Sequence, residues 1–324
     1  MLIRQLRSLT LFGALLTAHG FAWAQAAGTA PSFGFATVEE GRAILTARDE
    51  YIQRLGANER ALKAKSETPV SEPDFLKLLA STVLAWSDAD RASVQAALEA
   101  IRPQLGEFKL PMPYTVVFVR TTGAGEGDAP HTRANAIMLT DRTLAQPESL
   151  PRVLAHELFH IASRQDKAWR DAMYATIGFV SIEEVALPPQ LATRVITNPD
   201  APRIDVAIKV QTDDGLVWVA PLLQSTIERY DSARGGEFFA YLKLVWLEVA
   251  RGERIPQRAD LAQPPRLFDT KDLRGFHEQV GRNTGYVIHP EEILADNFAQ
   301  LATQQTGRSP EVHQRLRDAL RAAR

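Results

Sequence analysis

The sequence contains no cysteine. That excludes disulfides, thiolate zinc fingers, iron–sulfur clusters and a cysteine nucleophile, so any metal must be held by histidine and carboxylate side chains. Charge of one sign is also missing in excess: 37 Lys and Arg stand against 39 Asp and Glu. A chain so balanced has no global electrostatic case for nucleic acid, and none is expected as a partner. Beyond residue 24 no apolar run approaches the ~20 residues needed to span a bilayer, and there is no internal repeat or low-complexity tract. What remains, 45% apolar residues in a chain of 324, is ordinary globular composition.

The first 24 residues read separately. Met1 to Arg7 carries two arginines and no acid, Leu9 to Ala24 is mostly apolar, and Ala22-Trp23-Ala24 is a small-x-small cleavage site. These are the three parts of a secretory signal peptide. His19 and Gly20 interrupt the run, which is short for a membrane anchor. Cleavage would remove Arg4 and Arg7, taking the net charge from −2 to −4. The expected product is periplasmic or secreted, with no stable membrane insertion. Residues 25–36, rich in Ala, Gly, Ser and Pro, read as a flexible linker. Residues 37–324 read as one domain, with a helical part over 37–105 and a mixed part over 106–324.

In the helical part, Ser71-Glu72-Pro73-Asp74 and Ser87-Asp88-Ala89-Asp90 look like N-terminal caps. Leu76, Leu79, Ala80 and Val83 form one apolar stripe, and Val94, Ala97 and Ile101 another. Strands are expected at Tyr114–Arg120 and Ala134–Thr140. The intervening Gly123, Gly125 and Gly127 do not make a dinucleotide fingerprint, because the third glycine is misplaced and no helix follows. Ile204–Gln211 and Leu216–Leu222 flank Thr212-Asp213-Asp214-Gly215, a hairpin signal. Glu237–Val249 fits either a strand or a buried helix. Helices are expected near Pro147–Gln165, Pro290–Gln305 and Pro310–Ala322, giving an α+β class. His131 reads as a loop residue and His313 as part of the last helix, both solvated.

The chemistry concentrates in His156-Glu157-Leu158-Phe159-His160. Histidines four apart lie one above the other on a helix face and can share one zinc, with Glu157 placed as general base toward a water. From Val153 to Ala162 every other position is uncharged and no proline intervenes, as a buried active-site helix requires. Such a site needs a third ligand. In the helix opening at Pro290, Glu292, Ala295, Asp296 and Ala299 share one narrow face. Glu292 is the candidate ligand, and Asp296 the candidate acceptor for the second ring N–H of His156. Asp166 competes with Glu292 as third ligand, although Ser163 stands where that layout needs a turning glycine. Tyr286 and His289 are the nearest candidate transition-state donors in sequence, with Tyr230 and His277 as alternatives.

These residues resemble the gluzincin class of zinc metallopeptidases. The resemblance rests on the H-E-x-x-H of His156 to His160 and on Glu292-Ile293-Leu294-Ala295-Asp296, which matches that class's Glu-x-x-x-Asp motif. It covers roughly residues 114–165 and 286–305, and departs from the compact members in a long insertion at about 167–285. It implies a zincin-like α+β fold, Zn2+ as cofactor, and hydrolysis of a peptide or protein substrate with Glu157 as base. It also implies that the strand containing Asn135 and Ala136 pairs with an extended substrate. Two other readings stay open: a non-catalytic binding or assembly protein retaining the fold, and a zinc hydrolase of non-peptide amides. Nothing indicates an oligomeric state.

Overall fold

The structure is a computed structural model and describes residues 31–323. The expected signal peptide, and residues 25–30 of the expected linker, lie outside them. The rest of that linker is not a linker. Ser32–Phe35 forms strand β1, pairing in parallel with β2 (Thr115–Thr121). Small residues obscured a period-two pattern here: Phe33 stacks on Phe118 with ring centroids 6.0 Å apart, and Phe35 meets Trp86 edge-on at 4.9 Å.

Between these strands run five helices: α1 (Val38–Leu45), α2 (Glu50–Arg54), α3 (Ala57–Lys63), α4 (Glu72–Thr82) and α5 (Asp88–Leu105). Ser71 and Ser87 cap α4 and α5 as expected, each accepting a backbone N–H. Leu79 and Val83 are buried, but Phe75 takes the inward position where Leu76 and Ala80 were expected. After β2 come β3 (His131–Arg133) and β4 (Ala136–Thr140). The strand expected over Ala134–Thr140 is present as β4 but begins two residues later, because Ala134, with a φ of +51°, turns the chain into a hairpin with the unexpected strand β3. The sheet order is β1-β2-β4-β3.

Strand periodicity divides the packing. Val116, Phe118, Ile137 and Leu139 face the main core, while Val119, Ala136 and Met138 face a smaller core beneath α1 to α4. A short helix, α6 (Asp141–Leu144), leads to α7 (Leu150–Gln165), which carries the H-E-x-x-H. Leu154, Ala155, Leu158, Phe159 and Ile161 of α7 are essentially inaccessible and join the main core.

The insertion begins with α8 (Lys167–Ala175), then β5 (Phe179–Ser181) and α9 (Pro189–Ala192). The expected hairpin follows as β6 (Val206–Thr212) and β7 (Gly215–Ser225). Glu237–Val249 resolves as a short 3-10 turn followed by strand β8 (Leu242–Arg251), and β9 (Leu267–Phe268) closes an antiparallel sheet of order β5-β6-β7-β8-β9. Phe179, Val206, Ile208, Val219 and Trp246 on one face of this sheet belong to the main core. The insertion is therefore welded to the rest of the molecule. Past α10 (Phe276–Val280), α11 (Pro290–Ala302) packs against α7, and α12 (Pro310–Ala322) covers the end. Among the described residues no helix is long and apolar enough to cross a membrane.

Candidate metal centre

Two helices position the site. α7 ends where Asp166 turns extended and caps α8 by accepting the Trp169 N–H at 3.1 Å. Asp166 is thereby committed to the cap and does not join the histidines. α11 opens with Pro290 at its first turn, and its burial is nearly continuous from Pro290 to Ala302. Ala295 and Ala299 are wholly buried, so small side chains bring the backbone of α11 close to α7 and carry Glu292 and Asp296 to the histidines.

The rings of His156 and His160 sit 4.7 Å apart, and each aims Nε2 at the same oxygen. Glu292 Oε2 lies 3.1 Å from His156 Nε2 and 3.5 Å from His160 Nε2. A tetrahedral zinc with bonds of ~2.0–2.1 Å separates its ligand atoms by about 3.3 Å, and both nitrogen–oxygen separations are close to that, with all three donor atoms within 4.8 Å of one another. The opposite ring nitrogens are both occupied. His156 Nδ1 is 3.3 Å from Asp296 Oδ1, as expected, and His160 Nδ1 is 2.8 Å from Glu291 Oε1. Ser163 Oγ donates to the same Glu291 oxygen at 2.5 Å, and the Tyr174 hydroxyl donates to the other. Asp296 also accepts from Arg152 Nη2 at 3.1 Å and from Thr284 Oγ1.

Negative charge is concentrated here. Five carboxylates, those of Glu157, Asp200, Glu291, Glu292 and Asp296, surround two imidazoles in a largely buried volume. Burial disfavours a charged His156, but its hydrogen bonds to Asp296 and Glu292 outweigh this and raise it to about 9. For His160 burial is likewise overcome, chiefly by the charges of Asp200 and Glu292, and its pKa stands well above the usual value. Burial, and then the Asp200 charge, raises Glu157 to about 8. Its Oε2 has no hydrogen-bond partner among the described residues. In Glu292 and Asp296 burial is opposed by the histidines: Glu292 falls well below the ordinary range, and Asp296 to about 2. A dication at the three donors would neutralise the surplus negative charge and take over the role that protons play on the imidazoles.

The site opens into a cavity of about 370 Å³ lined by His156, Glu157, His160, Glu292, Asp296 and Tyr286, and bounded farther out by Ile196, Leu223, Phe238 and Leu242. Tyr286 stands exposed at this cavity. Partial desolvation, and then the charges of Glu292, Asp200 and Glu157, push its phenol well above the ordinary value, so it is a neutral donor. His289 does not reach the cavity. Its Nδ1 caps α11 by accepting the Glu291 N–H at 3.1 Å, and its ring meets Tyr174 edge-on. Tyr230 packs on Tyr241 and His277 on Phe276, both away from the ligands.

Asn135 and Ala136 are also corrected as substrate contacts. β4 is an interior strand between β2 and β3, so its edges are already paired. The Asn135 side chain donates to Thr115 O at 2.8 Å, and Ala136 is fully buried. The exposed-loop reading of His131 fails too: it lies in β3, is buried, and lines the cavity. His313 is likewise buried, inside the turn of α12 that faces the core.

Three participants escaped the sequence. Glu291 stood next to Glu292 in the sequence, but nothing in the spacing distinguished it from a solvated acid of the first turn. Asn198 and Asp200 had no signal either. They lie in the insertion, yet Asn198 Nδ2 donates to Glu292 Oε1 at 2.6 Å, and Asp200 gathers with Glu157 and His160. In comparisons with known proteins, no family model matches the chain, and no curated protein or solved structure matches it.

Proposed function

We propose that this protein is an exported zinc-dependent metallopeptidase of gluzincin type, with His156, His160 and Glu292 as the metal ligands. One observation carries the reading: both histidine Nε2 atoms face a single Glu292 oxygen at 3.1 and 3.5 Å, beside Glu157 and an open cavity. Zinc, when bound there, supplies Lewis acidity toward a carbonyl and acidifies water.

The remaining work falls to the chain's own residues. Glu157, which would be ionised once a dication offsets the Asp200 and Glu292 charges beside it, takes a proton from water onto its unpartnered Oε2 and passes it to the leaving amine. Asp296 and Glu291 hold the two imidazoles by their Nδ1 atoms and fix which nitrogen each presents to the cavity. Tyr286, neutral and at the cavity, donates to the developing oxyanion. The apolar wall of Ile196, Leu223, Phe238 and Leu242 receives a substrate side chain. The segment 1–24 directs export by the signal-peptide logic of its sequence.

The test is elemental analysis of the wild-type chain and Glu292→Ala, with turnover of an extended peptide library by wild type and Glu157→Gln. The expected result is near one zinc in wild type, a large loss in Glu292→Ala, and full zinc without turnover in Glu157→Gln. A wild-type chain that takes up no zinc on reconstitution, or a Glu157→Gln variant as active as wild type, would end the reading.

A further inference from the structure

The insertion that separates the two metal-binding motifs reaches back into the site they form. We infer that Asn198 is a positioning residue that holds Glu292 as a one-oxygen ligand and ties metal loading to the segment walling the cavity. This rests on the metal-site reading above.

The two oxygens of Glu292 have different neighbours. Oε2 faces both histidine Nε2 atoms, while Oε1 accepts the Asn198 side-chain N–H at 2.6 Å. The orientation of that amide is settled by its other end, because Asn198 Oδ1 accepts the Asp200 N–H at 3.0 Å and must therefore be the oxygen. Asn198 is itself pinned on both sides. Thr197 donates its backbone N–H and hydroxyl to the buried carboxylate of Glu59, at 2.6 and 3.1 Å. Asp200 Oδ1 accepts the Thr132 N–H at 2.9 Å. A strut running from α3 through residues 197–200 to β3 thus presents one amide to one carboxylate oxygen.

The consequence is geometric. With Oε1 committed to Asn198, only Oε2 is free for the ion, which leaves two histidines, one oxygen and an open fourth position, as a catalytic zinc requires. Without that bond the carboxylate can rotate and offer both oxygens, adding a fifth donor beside a water at the open position. Thr197, Asn198, Pro199 and Asp200 also line the cavity, so the same contact couples the carboxylate to the wall that meets a substrate.

The experiment uses Asn198→Ala and Asn198→Ser in the full chain. Serine keeps an oxygen able to accept the Asp200 N–H and so preserves the turn, but is too short to reach Glu292. Zinc affinity is read by competition with a chromogenic chelator, coordination by the visible absorption of the cobalt-substituted protein, and fold by thermal melting of the metal-free form. Both variants should bind zinc about tenfold more weakly. Their cobalt bands should lose intensity severalfold, as expected when a four-coordinate ion gains a fifth donor, while metal-free melting of Asn198→Ser, which keeps the turn, stays at the wild-type value. Wild-type zinc affinity and an unchanged cobalt spectrum in Asn198→Ser would overturn the assignment. So would a loss of affinity matched by an equal loss of metal-free stability. Wild-type protein that binds neither metal removes the metal site itself and this inference with it, a failure recognisable because it occurs without any substitution.

Discussion

His160 and Glu291 are joined nitrogen to oxygen at 2.8 Å, each with about 1% of its side chain exposed, while the next residue along, Glu292, approaches the opposite nitrogen of the same ring. Consecutive residues in the first turn of α11 thus grip one imidazole from both sides. Glu291 also takes the hydroxyls of Ser163 and Tyr174, so it is the hub through which α7, α8 and α11 agree on the position of His160.

Replacing Glu291 with alanine should therefore cost both stability and metal. Three buried donors lose their acceptor, and breaking a buried charged network by removing one member costs roughly 3–5 kcal/mol. The freed imidazole should lower zinc affinity about 10- to 100-fold. Urea denaturation and chelator competition check the two losses separately. Glu291→Gln, which keeps an acceptor oxygen, should fall between the alanine variant and wild type on both scales.

Substrate preference follows from the cavity wall. Ile196, Leu223, Phe238 and Leu242 offer an apolar surface in the cavity shared with the proposed metal ligands, so peptides with a bulky apolar residue near the scissile bond should be cleaved best. Leu223 is only half-buried, and Leu223→Trp should fill the space without disturbing the core. A loss of roughly 10- to 100-fold in kcat/KM for bulky residues, with small residues spared, is the expected scale for a pocket contact. Parallel library profiles of the two proteins measure it. An unchanged profile would place substrate side chains elsewhere.

Stability should also depend on pH through Glu59, far in sequence from the proposed metal ligands. Burial raises this carboxyl from its ordinary 4.5 to about 7, partly offset by the Lys63 charge and by hydrogen bonds from Thr197. The folded state therefore holds the proton more tightly than the unfolded state. Its contribution is fully present below about pH 4.5 and is lost as pH rises toward 7. The shift corresponds to about 3 kcal/mol. Glu59→Gln removes the titration, so its stability relative to wild type should rise by that order between pH 4.5 and pH 8. Denaturant titrations of both proteins at the two pH values give the difference, and equal changes in the two would contradict the assignment.

Where local signals carry their own physics, the sequence could be read. The H-E-x-x-H on a helix, Glu292 and Asp296 on one face of the next, and the serine caps all depend on helical periodicity and backbone geometry within a few residues. So does the Thr212–Gly215 hairpin. Tyr286 lies at the expected cavity, but His289, equally close in sequence, turns its ring nitrogen back to cap its own helix. One dihedral choice at Pro290's neighbour decides that, and no spacing rule encodes it. Similarly, Asn135 and Ala136 were expected at an edge because the hairpin at Ala134, which supplies β3 and covers β4, rests on a single non-glycine residue with positive φ.

What the amino-acid order determined alone is the candidate donor set: without cysteine, any metal has to be held by histidine and carboxylate, and helical spacing brings the two histidines of α7 and Glu292, on a helix with a small-residue face, within reach of one another. What only the tertiary structure decided is how those groups are held. Glu291, Asn198 and Asp200 reach the site by contacts between segments far apart in the chain, and the strength of a hydrogen bond or charge pair depends on distance and burial in space. Neighbours along the sequence carry no trace of either, so the candidate donors and Asp296 were legible, while Glu291, Asn198 and Asp200 were not.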